Sequence, residues 1–253
     1  MLRFSMNTIG LFPGKPFDAA FSVLKSHGYD TFEIWSLDNI DLPRLKADMD
    51  AYGMKLSTCC PSFFILHEET RRAEYDASLR TAIDNCHFLN CPSLITQVGQ
   101  DTGAPRAQQH KAILDGLKAM APMLEDNGIT LLVEPLNSVK DHVGYYLTDS
   151  NEGFALIEEV NSPNVRLLYD VYHQVHMGEN VLERIQEHLP LIAHYHIAGH
   201  PNRDEKLFDN FDYTAVFELL TRNHVTAPVG VELFPKTDAA TEQLLTELKK
   251  WAR

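Results

Sequence analysis

The segment Val165–Ile197, VRLLYDVYHQVHMGENVLERIQEHLPLIAHYHI, begins and ends with a short apolar run. Each run carries an ionisable residue at or near its end, Asp170 in the first run and His196 in the second. The 26 positions from Asp170 to His196 leave room for one crossover helix and its loops. Short apolar runs are typical of strands in a parallel sheet, because both faces of such a sheet are covered. The segment therefore predicts a strand–helix–strand unit.

The same alternation extends along the whole chain of 253 residues. Eight runs are predicted as strands: Arg3–Asn7, Thr31–Trp35, Lys55–Thr58, Ser93–Gln97, Thr130–Glu134, Val165–Asp170, Ile192–Ile197 and Val229–Phe234. Seven segments have helical periodicity: Phe17–His27, Leu42–Tyr52, Glu74–Leu89, Arg106–Asn127, Asp149 to about Val160, Asp212–Arg222 and Asp238–Trp251. This pattern favours the α/β class and a (β/α)8 TIM barrel, with a doubly wound open sheet as the alternative. Neither G-x-G-x-x-G after the first strand nor a P-loop motif is present, so nucleotide-binding folds lose their main support. No Pro/Ser/Gly-rich linker divides the chain, and we expect residues 1–253 to form a single domain.

The composition narrows the range of partners. There are 22 Lys and Arg residues against 35 Asp and Glu residues, which gives a formal net charge of −13. Such a charge repels phosphate backbones and anionic lipid surfaces, so we expect no nucleic-acid partner and no membrane partner. The N-terminus lacks the apolar segment of a signal peptide, and we expect reduced thiols at Cys59, Cys60, Cys86 and Cys91. These features favour a cytoplasmic protein that acts on a small molecule, and they leave open whether its copies form a homo-oligomer.

Four successive predicted strands end at or near an ionisable residue: Glu134, Asp170, His196 and Glu232. The active site of a TIM barrel lies at the carboxyl ends of its strands, so these four side chains should meet at one mouth. Three carboxylates there would repel one another unless a cation lay between them. Three oxygen ligands and one nitrogen suit Mn²⁺, Mg²⁺ or Co²⁺, and Zn²⁺ is also compatible. For any one of these residues alone, a helix cap or a surface group is an equally good interpretation.

Two further residues are candidates for substrate binding. His173 should lie just past the tip of the sixth strand, either facing the mouth or bonded to backbone as an ordinary loop histidine. Arg203 lies in the loop after His196, where it could hold a substrate oxygen. The alternative for Arg203 is a surface ion pair with Asp204 or Glu205.

Three further residues in the predicted strands have weaker signals, and for Trp35 and His194 two interpretations have similar weight. Trp35 ends the second predicted strand and either forms an apolar wall of the pocket or packs in the core. Glu33 lies within that strand and needs a partner if it is buried. His194 alternates with Tyr195, so it points inward one layer below His196, either as a core histidine or as a support for the site.

The motifs of the second half resemble those of the xylose-isomerase-like TIM-barrel superfamily. The matching segments are VEPLN at 133–137, SPNVRLLYDVYH at 162–173, HIAGHPNRDE at 196–205 and VE at 231–232. Within the superfamily the chain is most similar to hydroxypyruvate isomerases, and ketose 3-epimerases are a step further away. Hydroxypyruvate isomerases have Gln at the third ligand position, whereas this chain has His196, as the epimerases do.

This resemblance implies site roles and an activity. It implies one divalent metal ion held by Glu134, Asp170, His196 and Glu232. It implies that Glu134 and Glu232 also act as acid/base groups, and that His173 and Arg203 contact the substrate. The activity implied is aldose–ketose isomerisation of a small hydroxy-carbonyl compound through an enediolate. The expected mouth has no Arg/Lys cluster beyond Arg203, which favours an unphosphorylated substrate. A ketose 3-epimerase and a keto-polyol dehydratase are the alternatives, while a nuclease of the endonuclease IV type is disfavoured by the acidic composition.

Overall fold

The computed structural model describes residues 1–63 and 65–252, and its strands all pair in parallel. The strands are β1 Phe4–Asn7, β2 Thr31–Glu33, β3 Lys55–Leu56, β4 Ser93–Thr96, β5 Thr130–Val133, β6 Val165–Asp170, β7 Ile192–Ile197 and β8 Val229–Val231. Their order in the sheet is β3-β2-β1-β8-β7-β6-β5-β4. The two edges meet where Cys59 pairs with Leu94, and the amide of Ile95 donates to the carbonyl of Cys59 at 2.8 Å. The sheet therefore curls on itself, and the predicted α/β barrel class is confirmed.

Helices separate the strands within the described part of the chain. They are α1 Thr8–Leu11, α2 Phe17–Ser26, α3 Leu42–Tyr52, α4 Arg72–Leu89, α5 Arg106–Asn127, α6 Ser150–Val160, α7 Val171–His176, α8 Val181–His188, α9 Tyr213–Arg222 and α10 Asp238–Leu248. All seven predicted helices are present, with ends that differ by at most three residues. None of the helices described here is long and apolar enough to cross a membrane.

The predicted helix ends depend on residues that adopt left-handed backbone angles. Gly53 has φ 61° and ends α3, and Gly128 has φ 65° and ends α5. Asn90 and Asn161 end α4 and α6 in the same conformation. Because glycine and asparagine tolerate positive φ, the chain turns back toward the next strand at these points.

The hydrophobic core has two parts that follow from strand alternation. Most buried apolar residues form one large cluster, which includes Leu131 and Val133 of β5. A separate small cluster contains Ile95, Leu132 and Leu168, from three adjacent strands. Since successive strand residues point to opposite faces, the small cluster lies in the barrel interior while the large one packs the sheet against its helices. The interior of the barrel is thus a packed support beneath the strand ends.

Candidate active site

The structure brings the four ionisable strand-end residues together. Asp170 is the last residue of β6 and His196 is the penultimate residue of β7. Glu134 and Glu232 are each one residue past the end of their strands, slightly beyond the predicted position. All four are buried, and one ligand atom from each lies within 4.8 Å of the others.

His196 lies at the centre of this group. Its Nδ1 atom is 3.0 Å from Oε2 of Glu232 and 3.3 Å from Oε1 of Glu134. The same atom is 3.9 Å from Oδ2 of Asp170. Burial alone would lower the pKa of His196, but the carboxylates of Glu33 and Glu232 raise this pKa well above its usual value. The surrounding carboxylates therefore favour positive charge at the position of this ring, which offsets their mutual repulsion.

The donor atoms of this group fit a divalent cation. Oε1 of Glu134 and Nδ1 of His196 are buried, and neither has a hydrogen-bond partner in the described part of the chain. A buried polar atom without a partner costs about 1–3 kcal/mol, and a metal ion is one way to satisfy it. Three hard carboxylate donors and one imidazole nitrogen match the ligand preferences of Mn²⁺, Mg²⁺ or Co²⁺.

Glu232 is held as an anion by two donors. The indole Nε1 of Trp35 donates to Oε1 of Glu232. Nη2 of Arg203 lies 2.7 Å from Oε2 of the same carboxylate. Burial would raise the pKa of Glu232, but Arg203 and His196 lower it well below its usual range. At neutral pH this side chain is a carboxylate.

The structure corrects one interpretation of Arg203. Its guanidinium is mostly buried and faces Glu232, so the surface ion pair with Asp204 or Glu205 is wrong. Asp204 accepts from the amide of Lys206, and Glu205 accepts from the amide of Lys236. A substrate contact by Arg203 stays a prediction. In the structure the arginine forms an ion pair with Glu232.

His173 belongs to a helix and not to a loop. Oδ1 of Asp170 accepts from the backbone amide of His173 at 3.1 Å and thereby begins α7 directly at the end of β6. Burial raises the pKa of Asp170 to about 6. Asp170 therefore both caps a helix and contributes an oxygen to the group of four residues.

Hydrogen bonds from Asn137 fix the proton on the ring of His173. Oδ1 of Asn137 accepts from the amides of Lys140 and Asp141, so its Nδ2 is the donor that contacts Nδ1 of His173 at 2.7 Å. Burial lowers the pKa of His173 to about 3, which keeps the ring neutral. A neutral ring that accepts at Nδ1 carries its N–H at Nε2, and this atom is buried without a partner in the described residues. His173 can therefore donate a hydrogen bond to a ligand.

A cavity of about 460 Å³ opens beside these groups. Its lining comes from both halves of the barrel: Trp35, Ser36, Asp38, Cys60, Pro61, Ser62, Gln97, Glu134, Leu136, His142, His173, Arg203, Glu232 and Phe234. The ring of Trp35 lies 5.6 Å from that of Phe234, so it forms an apolar wall in addition to its bond to Glu232. The prediction missed Cys60, Gln97 and His142, because none of them follows the strand-end pattern of ionisable residues.

The chain matches a known protein family over most of its length. A family model described as "Xylose isomerase-like TIM barrel" matches residues 21–253. The chain belongs to this family. The predicted superfamily is therefore confirmed, and with it the barrel in which the strand-end group lies.

Relatives that the chain resembles in sequence are named as isomerases. Hydroxypyruvate isomerase of Escherichia coli (strain K12) is 27% identical over 254 residues, which cover 94% of this chain and 95% of that protein. A 2-oxo-tetronate isomerase of Cupriavidus necator is 24% identical over 245 residues, covering 93% and 94%. The predicted enzyme class, an isomerase, is confirmed by these relatives.

Solved structures show the same fold at lower identity. An AP endonuclease of family 2 from Brucella melitensis has a TM-score of 0.92 at 23% identity and covers all of both chains. D-psicose 3-epimerase from Clostridium cellulolyticum H10 has a TM-score of 0.79 at 15% identity, covering 99% of this chain and 96% of that one. At these identities the likeness concerns the barrel alone.

Proposed function

We propose that the chain is a metal-dependent isomerase that interconverts the ketone and aldehyde forms of a small α-hydroxy carbonyl compound, in the manner of hydroxypyruvate isomerases. The observation that carries this proposal is the buried group formed by Glu134, Asp170, His196 and Glu232. The similarity to hydroxypyruvate and 2-oxo-tetronate isomerases supports the substrate class.

The four residues of this group would hold the cation, with Mn²⁺, Mg²⁺ or Co²⁺ preferred and Zn²⁺ compatible. When bound, the ion supplies Lewis-acid polarisation of the substrate carbonyl. Nδ1 of His196 and Oε1 of Glu134 support this assignment, since both are buried and make no hydrogen bond within the described residues.

The protein's own groups would move the proton. Glu232, which Arg203 and Trp35 keep ionised, accepts the proton from the carbon next to the carbonyl and leaves an enediolate. Return of that proton to the neighbouring carbon, with transfer of the hydroxyl proton between the two oxygens, completes the isomerisation. Glu134 is the second carboxyl group of the site. In its protonated form it could give a proton to the other face of the original carbon, which would yield an epimer while Glu232 keeps the proton that it removed.

Two side chains would orient the substrate. His173 donates from Nε2 to a substrate oxygen, because its other nitrogen already accepts from Asn137. The guanidinium of Arg203 lines the same cavity and places positive charge beside the developing enediolate. Arg203 is the one Lys or Arg among the residues that line this cavity, and it is already paired with Glu232, which favours an unphosphorylated substrate.

The experiment that tests this function identifies the product. The full chain is stripped with chelator, reloaded with each of the four cations, and incubated with hydroxypyruvate, four-carbon keto acids and common ketoses. The proposal predicts a metal-dependent aldehyde product in ¹H and ¹³C NMR spectra. Glu134→Gln and Glu232→Gln should both reduce its formation, and full turnover by both variants would refute the assignment.

The same spectra separate the alternatives. A ketose with inverted configuration identifies a 3-epimerase, for which the imidazole at the third ligand position is the favouring observation. A product that has lost water identifies a keto-polyol dehydratase, which begins with the same proton abstraction.

A further inference from the structure

Glu33 contacts two histidines of a strand that is not its neighbour. It is the last residue of β2 and is buried inside the barrel. Its Oε2 atom accepts a hydrogen bond from Nε2 of His194 at 3.0 Å. Its Oε1 atom forms an ion pair with Nε2 of His196 at 3.1 Å. Both carboxylate oxygens therefore face β7, although β1 and β8 lie between β2 and β7 in the sheet.

The contact needs a gap in the intervening strand, and Gly230 of β8 provides it. A Cβ atom at this position would lie 2.5 Å from Cδ2 of His196 and 2.6 Å from Oε1 of Glu33. Gly230 does not adopt a positive φ, so the backbone conformation does not call for glycine. The missing side chain is instead what allows the carboxylate of Glu33 to reach His196.

The contact between Glu33 and Nε2 of His196 leaves Nδ1 of the same ring facing the carboxylates of Glu134, Asp170 and Glu232. With a cation bound at Nδ1, the one N–H of a neutral imidazole lies on Nε2, where the carboxylate of Glu33 can accept it. The lone pair is then on Nδ1, which lies 3.0 Å from Glu232 and 3.3 Å from Glu134. His194 holds the other oxygen of Glu33, so the carboxylate cannot turn away from the ring without losing a buried hydrogen bond.

We propose that Glu33 is a positioning residue that fixes the ring of His196 through Nε2, so that Nδ1 is the nitrogen offered to the cation. The inference rests on the proposed function, because it presupposes that a divalent cation binds at His196. In this assignment Glu33 acts through the histidine and contributes no ligand atom to the group formed by Glu134, Asp170, His196 and Glu232.

Calorimetric titration of Mn²⁺ into the metal-stripped full chain, without substrate, tests the inference. Glu33→Gln keeps the size of the side chain and removes its charge, and we expect Mn²⁺ affinity to fall by about 10- to 100-fold. Gly230→Ala, which changes no polar group but crowds the same contact, should lower the affinity in the same direction. Glu183→Gln on the exposed face of α8 is the matched control and should bind like the wild type.

A second readout follows the ring itself. In ¹⁵N spectra of the Zn²⁺-loaded protein, the N–H of His196 should be on Nε2, and Glu33→Gln should shift its resonance because the charged acceptor of that N–H is lost. Circular dichroism verifies the fold of each variant, and Gly230→Ala decides by the same criteria if Glu33→Gln does not fold. Wild-type Mn²⁺ affinity and an unchanged His196 spectrum in folded variants would overturn the inference while the proposed function stands. A wild-type chain that binds no Mn²⁺ would overturn the proposed function and this inference with it.

Discussion

The two halves of the barrel differ sharply in what their strand ends supply. The ends of β5 to β8 bring together four ionisable side chains: Glu134, Asp170, His196 and Glu232. The first half supplies Asn7, which caps α1, and Glu33, which faces the histidines of β7. It also supplies Trp35 and Gln97, which are uncharged and line the cavity.

This difference shows how a symmetric architecture carries an asymmetric site. Charges that act on one substrate atom must lie within a few ångströms of one another, and adjacent strands meet that requirement best. The opposite half then provides walls and hydrogen bonds that hold those charges in place. Substitutions in the second half should therefore reduce turnover or cation binding most. Substitutions in the first half should reduce them less.

The largest effect is expected from Glu232→Gln. The amide cannot accept the proton from the substrate carbon, so turnover should fall by about 10²- to 10⁴-fold. Steady-state kinetics on the substrate found in the product assay measure this. Asp38→Asn is the control in the first half, since Asp38 lines the cavity but is exposed. An equal loss in that variant would break the contrast between the halves.

The next effect concerns cation binding by Asp170→Asn. The amide oxygen can still cap α7 at His173, but the charge that favours a cation is lost. Affinity for Mn²⁺ should fall by at least the roughly 10- to 100-fold typical of supporting residues. In a thermal scan, Mn²⁺ at about 100 times its Kd should stabilise the wild type by about 2.7 kcal/mol and the variant far less. Equal metal-induced shifts in Tm would contradict the assignment of Asp170.

A smaller effect is expected from Trp35→Phe in the first half. The variant loses the N–H that donates to Glu232 but keeps an aromatic ring against Phe234. Since a hydrogen bond to a charged group contributes about 1.5–3 kcal/mol, kcat/KM should fall by about 10- to 150-fold. Trp251→Phe, at a tryptophan that packs on Phe217, should leave kcat/KM unchanged. A normal kcat/KM in Trp35→Phe would show that the hydrogen bond from Trp35 to Glu232 does not contribute to catalysis.

The smallest effect on chemistry is expected from Leu79→Ala in α4. Leu79 is fully buried in the large core cluster, so the cavity should lower the free energy of unfolding by about 2–5 kcal/mol. Urea denaturation measures that loss, while kcat per folded molecule should match the wild type. A large change in kcat would show that the packing of the first half controls the site directly.

The sequence predicted the barrel and the strand-end group because both depend on regular spacing. Buried parallel strands recur with helices between them, and the carboxyl ends of parallel strands share one mouth. The helices α7 and α8 were not predicted individually. Helix α7 begins at the cap formed by Asp170, a residue that the sequence marks equally well as a ligand.

The supporting contacts could not be predicted, since they join positions far apart in the chain. The bond from Trp35 to Glu232 spans 197 positions, and the bond from His194 to Glu33 spans 161. Asn137 and His173, 36 positions apart, meet only because β5 and β6 are adjacent. Side-chain pairs of this kind follow from the barrel's register and from space left by residues such as Gly230, and no single-sequence pattern encodes them.

Deuterium incorporation from D₂O tests the central claim most directly. Hydroxypyruvate, four-carbon keto acids and common ketoses are incubated with metal-stripped protein, Mn²⁺-reloaded protein and reloaded Glu232→Gln, and the spectra are followed by NMR. The account predicts that deuterium enters the carbon next to the carbonyl of at least one compound with the reloaded wild type. The other two samples should show little exchange. Exchange at the same rate in stripped protein or in Glu232→Gln, or no exchange with any compound, would contradict it.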